Sequence, residues 1–186
     1  MKMHSTRLIG LILIEPKRFS DHRGFFAETY SKRAYGELGI DATFVQDNHS
    51  LSAAAGTLRG LHFQAPPNAQ AKLVRCGRGA IFDVAVDIRR GSLTYGKWAG
   101  FELSAENGAQ LYIPAGFAHG FVTLQADTEI VYKCSDYYAP QAEGGLRWND
   151  PFIGIEWPII GEAILSQRDA DAPLWGDFSS PFEFEG

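Results

Sequence analysis

Two histidines of this chain stand where an imidazole could move protons. His62 closes the run Thr57-Leu58-Arg59-Gly60-Leu61-His62, three residues after Arg59, and Lys72 follows in the same strand–turn–strand unit. His119 comes after Pro114-Ala115-Gly116-Phe117-Ala118. An unperturbed imidazole titrates near ~6.5, so it takes up and returns protons around neutral pH. It does this best when a carboxylate fixes its tautomer and stabilises the imidazolium. Two cations beside His62, in a chain of net charge −5, point to an anionic ligand held by local charge and not by the overall field. His4, His22 and His49 read as ordinary core or surface residues.

These residues need a scaffold, and the composition limits its kind. The 186 residues suffice for one domain, 1–186, with a substantial core. At 45% hydrophobic and 21% charged the chain lies outside the disordered range, and 13% aromatic residues suit β packing and ring stacking. The acidic balance excludes a general nucleic-acid binder. The run Leu8–Ile14 reads as a buried first strand, since it lacks a small-residue cleavage site and meets Glu15-Pro16-Lys17-Arg18 directly. No segment reaches the ~18–20 apolar residues of a membrane span. Cys76 and Cys134 have no CxxC spacing and lie in apolar strand-like surroundings. They read as buried free thiols in a reducing cytoplasm and not as a disulfide.

Short β-type runs divided by Gly, Pro, Asn and Asp dominate the chain. Strands are predicted over about 7–15, 24–30, 43–49, 57–63, 70–76, 79–87, 96–103, 110–113, 119–125 and 128–134. Asp83 and Asp87 sit among hydrophobes, as in a strand with one partly polar face. Helix is sparse: Ser31 caps a predicted helix over Lys32–Leu38 that Gly39 ends, and a further turn is predicted near Glu162–Leu165. Many short strands imply a sandwich or small barrel closed around a cavity.

Gly56, His62 and Gln64, with Gly108, Pro114, Gly116 and His119, resemble the two motifs of the cupin barrel. The resemblance implies an all-β, double-stranded β-helix (jelly-roll) with a few short helices. In metal-binding cupins the position of Gln64 is a second histidine and a glutamate follows, where this chain has Pro66-Pro67-Asn68-Ala69. An amide is a poor substitute for imidazole on a transition metal, so no metal and no cofactor are expected. A more specific series runs in order: Asp21-His22-Arg23-Gly24-Phe25-Phe26-Ala27-Glu28, Gln46-Asp47-Asn48-His49-Ser50, Leu58–Gln64, Gln70–Val74, Asp83–Arg89, Pro114–Phe121, Tyr132-Lys133-Cys134 and Trp148-Asn149-Asp150-Pro151. Over residues 5 to 175 it resembles the dTDP-4-dehydrorhamnose 3,5-epimerase family.

The resemblance implies a metal-free isomerase acting at carbons 3 and 5 of dTDP-4-dehydro-6-deoxy-D-glucose. By position, His62 is similar to the family's base and Asp169 to the carboxylate that orients it. Tyr132 is similar to the acid on the opposite face, and Lys72 to the cation beside the enolate oxygen. Arg23 and Arg59 resemble diphosphate contacts. Glu28, Gln46, Asp47 and Asn48 resemble nucleoside and sugar contacts, and Tyr138 the ring stacked on thymine. His119 and Glu143 resemble further substrate contacts. Arg168 stands where the family usually has lysine, which keeps the charge and changes its geometry. Trp148 and Asp150 read equally well as structural and are left out of the site. The resemblance also implies a homodimer, with N-terminal strands reaching the partner, and a C-terminal extension from about 161. Three rivals stand beside this reading: an enzyme that inverts carbon 3 only, a metal-dependent cupin oxygenase, and a sugar-nucleotide binder without catalysis.

Overall fold

Strand β5 (Gln46–Ser52) alternates exposed and covered side chains, whereas β8 (Ala80–Asp87) and β12 (Phe117–Thr123) are covered almost throughout. Position explains the contrast. In the computed structural model, which describes residues 1–184, β5 is an edge strand and β8 and β12 are interior strands of a second sheet. The first sheet has six strands in the order β1 (Lys2–Ser5), β2 (Ile12–Glu15), β11 (Gln110–Ile113), β7 (Lys72–Arg78), β13 (Thr128–Cys134), β5. The second has five: β10 (Trp98–Ser104), β8, β12, β6 (Leu58–Gln64), β14 (Glu143–Gly145). Both sheets are antiparallel throughout, as the expected jelly roll requires.

The main core lies between the sheets. Val74, Cys76, Leu111 and Ile130 of one meet Ile81, Ala85, Leu103, Phe117 and Phe121 of the other. Each sheet also has a cover on its outer face. The six-stranded sheet is covered by α1 (Lys32–Gly36) and the loop after it, with Tyr35 and Ile40 on Ile14 and Leu73. The C-terminal segment covers the five-stranded sheet, where Ile153 and Phe182 pack on Leu61, Val84 and Val86. This second layer is why β8 is apolar on both faces. Burying each such large side chain contributes roughly 1.5–3 kcal/mol.

Two smaller pairings complete the fold: a hairpin of β3 (Arg18–Asp21) with β4 (Gly24–Ala27), and a parallel pair of β9 (Arg89–Arg90) with β15 (Phe182–Glu183). The predicted strand over 7–15 is corrected. Leu8, Leu11 and Ile14 are buried as expected, yet Gly10 takes φ +89 and turns the chain, leaving β1 and β2 as a hairpin. The Lys32 helix forms with its Ser31 cap and ends two residues short of the prediction. The helical turn expected near 162–165 is also corrected: Ile164 makes a bridge to Thr57, and the helix, α2, spans Gln167–Ala170. Cys76 and Cys134 are both buried and free. No helix among the described residues is long and apolar enough to cross a membrane.

Candidate active site

A cavity of about 500 Å³ opens between the sheets, and both sheets supply its polar lining. From β6 and β12 come Arg59, His62, His119 and Phe121; from β5, β7 and β13 come Ser50, Lys72 and Tyr132. A strap from the C-terminal segment forms the remaining wall with Ile164, Leu165, Ser166, Arg168 and Asp169.

His62 and His119 are register partners on adjacent strands, with a break in register immediately after His119. Gly60 permits this approach. Its φ is +128, and a Cβ there would stand 2.5 Å from Gly120 Cα and 2.8 Å from the His119 carbonyl oxygen. Each imidazole is backed by its own carboxylate. Asp169 Oδ1 lies 2.5 Å from His62 Nε2, across 107 residues of sequence, and Asp83 Oδ1 lies 2.7 Å from His119 Nε2.

The two dyads sit in different surroundings. Burial pushes the Asp169 carboxyl up, but bonds from His62, Ser166 and the Gly60 backbone N–H outweigh it and hold the group below the usual carboxylate range. An ionised Asp169 accepts from Nε2–H, so His62 presents the Nδ1 lone pair; its side chain is 35% exposed. His119 is the buried partner. Burial pulls its pKa below the ordinary value despite the pull of Asp83 in the other direction, which leaves a neutral ring. Asp83 itself is fully buried, with Oδ2 unpartnered among the described residues. The sequence signal for Asp83 was a carboxylate amid hydrophobes; its partner was not legible.

On the facing sheet, burial raises the Tyr132 phenol above its ordinary pKa and lowers the Lys72 ammonium below its own. Among the described residues no carboxylate makes an ion pair with Lys72 or Arg59. Arg168 instead donates to Glu143 Oε2 at 2.7 Å, and the exposed Tyr138 hydroxyl reaches the same oxygen at 3.1 Å. Gln46 Oε1 accepts from the Tyr138 backbone N–H at 3.0 Å, and its amide nitrogen reaches Asn48 at 3.1 Å. Asn48 stands opposite Tyr132 in register.

Glu143, Tyr138, Gln46 and Asn48 are outside the cavity lining and join it only through this chain of bonds from Arg168, and three more expected site residues lie elsewhere. Asp47 points to the opposite face of β5 and pairs with Lys133 at 2.8 Å, as strand alternation demands. Arg23 and Glu28 are exposed on and just after the β3–β4 hairpin, with Arg23 bound to Asp21 at 2.5 Å. Ser50, Thr57, Leu58, Phe121, Ile164, Leu165 and Ser166 line the cavity without having been expected there.

Gln64 has a structural task. Its amide nitrogen donates to the Asn68 and Tyr137 carbonyls at 2.8 and 3.1 Å, and its oxygen accepts from Ala139 N–H at 2.9 Å. Among the described residues no cluster of three or more His, Cys, Asp or Glu has the geometry to hold a metal ion. Asp150, not counted among the site residues, caps a loop by accepting from the Phe152, Ile153 and Trp175 backbone N–H groups.

A sequence profile described as dTDP-4-dehydrorhamnose 3,5-epimerase matches residues 5–177. The chain belongs to the dTDP-4-dehydrorhamnose 3,5-epimerase family. It is 56% identical to the dTDP-4-dehydrorhamnose 3,5-epimerase of Salmonella typhimurium over 91% of this chain and 92% of that one. Among solved structures, the dTDP-6-deoxy-D-glucose-3,5-epimerase of Legionella pneumophila, in complex with dTDP-4-keto-L-rhamnose, superposes with a TM-score of 0.95 at 45% identity, covering 100% of this chain and 99% of that one. A 3'-monoepimerase of Streptomyces bikiniensis bound to dTDP-quinovose is more distant, with a TM-score of 0.87 at 39% identity over 92% and 87% of the two chains. The fold is thus the cupin-type barrel of these epimerases.

Proposed function

We propose that the chain epimerises carbons 3 and 5 of dTDP-4-dehydro-6-deoxy-D-glucose, giving dTDP-4-dehydro-L-rhamnose. The supporting observation is that a carboxylate-backed imidazole and a half-buried phenol face one cavity from opposite sheets. A ketone at carbon 4 acidifies the hydrogens on both neighbouring carbons. His62 Nδ1 takes the proton from one face of the sugar, and the imidazolium is held by Asp169. The negative charge moves to the carbon-4 oxygen, where the Lys72 cation stabilises the enolate most. Tyr132 returns a proton from the other face and inverts the centre. A tyrosine whose pKa is raised keeps its proton until carbon claims it. His119, neutral and fixed by Asp83, hydrogen-bonds a sugar oxygen. Arg59 at the cavity mouth meets the diphosphate, a task that suits a planar guanidinium. Tyr138, Glu143, Arg168, Gln46 and Asn48 form the nucleoside rim.

The test is NMR of the natural keto-sugar incubated with enzyme in deuterated water. Label should enter both carbons, with inversion at each. Label at carbon 3 alone would assign the chain to the single-centre reaction instead.

We further propose a homodimer in which the β3–β4 hairpin completes the partner's site. The hairpin exposes Phe19, Phe25 and Phe26 at 55%, 60% and 69%, and it carries Arg23, which is outside the lining of the His62 cavity. Sedimentation should give a dimer. Arg23→Ala should raise KM about tenfold, the ~1.4 kcal/mol of one charge-assisted contact, with kcat nearly unchanged. A monomer with full activity would overturn this arrangement.

A further inference from the structure

The helical turn that carries Asp169 is too short to hold itself. α2 has four residues, whereas isolated helices are marginal in water even at ~12–15. Its shape is imposed at two points. Upstream, reciprocal main-chain bonds tie the strap to the start of β6: Ile164 N–H donates to the Gly56 carbonyl and Leu58 N–H to the Ile164 carbonyl, each at 2.9 Å. At the turn itself, Ser166 is the N-cap, its Oγ accepting from the Asp169 backbone N–H at 3.1 Å.

The spacing Ser166-Gln167-Arg168-Asp169 is that of a capping box. In a capping box the carboxylate turns back onto the backbone N–H of the capping residue. Here the carboxylate goes to His62 Nε2 instead, at 2.5 Å. The Ser166 hydroxyl holds the backbone of Asp169 at the point where its side chain leaves for His62. Both residues line the cavity.

We propose that Ser166 is a positioning residue: its hydroxyl, through the Asp169 backbone N–H, fixes where the carboxylate sits and thereby the orientation of the His62 ring. The proposal rests on the reading of His62 as the base. An ordinary cap makes a different demand, because Gly replaces Ser at an N-cap with little loss of stability. A positioning role needs the hydroxyl itself. Small misplacements of a catalytic group can cost on the order of 10²-fold in rate.

Three variants test it: Ser166→Ala, Ser166→Gly and Ser166→Thr. In turnover of the natural keto-sugar, the Ala and Gly variants should lose about 10–100-fold in kcat with KM within about twofold, and the Thr variant should recover most of the loss. Proton NMR without any sugar gives a second readout. The low-field Nε2 proton of His62, assigned by its absence in His62→Asn, should persist in the parent and the Thr variant and shift upfield or vanish in Ala and Gly. That spectrum judges Ser166 independently of the reaction assigned to the enzyme. An unchanged low-field proton in the Ala variant would overturn the proposal. So would a Gly variant with parental kcat, which would reduce Ser166 to a cap, or a Thr variant as impaired as Ala, which would assign the loss to packing.

Discussion

His62→Asn should fold like the parent and incorporate no deuterium at carbon 3 or carbon 5, with kcat down by about 10²–10⁴. The side chain is 35% exposed and on the cavity wall, so its replacement leaves the core intact. An asparagine amide can still accept from substrate, yet it has no basic lone pair at neutral pH. The companion change Asp169→Asn keeps the shape of the dyad and removes the charge that stabilises imidazolium, and it should fall in the same range. Normal exchange by His62→Asn would take the base role away from this residue altogether. Retained exchange in Asp169→Asn alone would limit the carboxylate to a structural part.

How much of this was legible in the sequence depends on the distance over which each residue acts. Ser31 with Lys32–Gly36 and the strand β11 are local, and they appear where turn and capping chemistry put them. Residues that act across the fold were visible only as odd residues. Asp83 looked out of place in a hydrophobic strand, but nothing near it in sequence named His119 as its partner, 36 positions away. Asp169 entered through a family resemblance, since no pattern relates it to His62. The first strand was misjudged because apolar burial does persist from Leu8 to Ile14, while Gly10 breaks the backbone beneath it. The misplaced C-terminal turn had a readable marker in Ser166-x-x-Asp169, which outranks the apolar run before it. The face of β5 on which Asp47 lies also followed from alternation once Asn48 and Ser50 were turned inward.

The second large effect concerns stability. Arg89→Ala should destabilise the protein by about 3–5 kcal/mol, because it leaves a buried carboxylate without its cation. Asp87 has no exposed side-chain surface, and Arg89 meets it at 2.8 and 2.9 Å while its guanidinium lies 4.4 Å from the Phe117 ring centre. Burial pushes the Asp87 carboxyl up, but Arg89, Ser92 and Thr94 together hold it below the usual range. A depressed folded pKa contributes stability above the unfolded value of ~3.9, lost as pH falls through the folded pKa. In the variant the carboxyl loses its strongest partner and that contribution shrinks. The gap between parent and variant should therefore be wide at pH 7, persist near pH 4, and narrow only below that as pH falls through the parent's depressed folded pKa. Thermal melts at pH 7 and below about pH 3 read this out, with a drop in Tm on the order of 10 °C at pH 7. An equal gap at both would attribute the loss to packing against Phe117 and not to charge.

The wall that brings Asp169 to His62 leaves the ribosome after every strand of both sheets, and it closes a site whose other members lie far upstream. The same late segment lays Phe178 and Phe182 over the outer face of the five-stranded sheet. The last stretch of chain thus does two jobs at once, giving the His62 ring its counter-ion and sealing the sheet behind it.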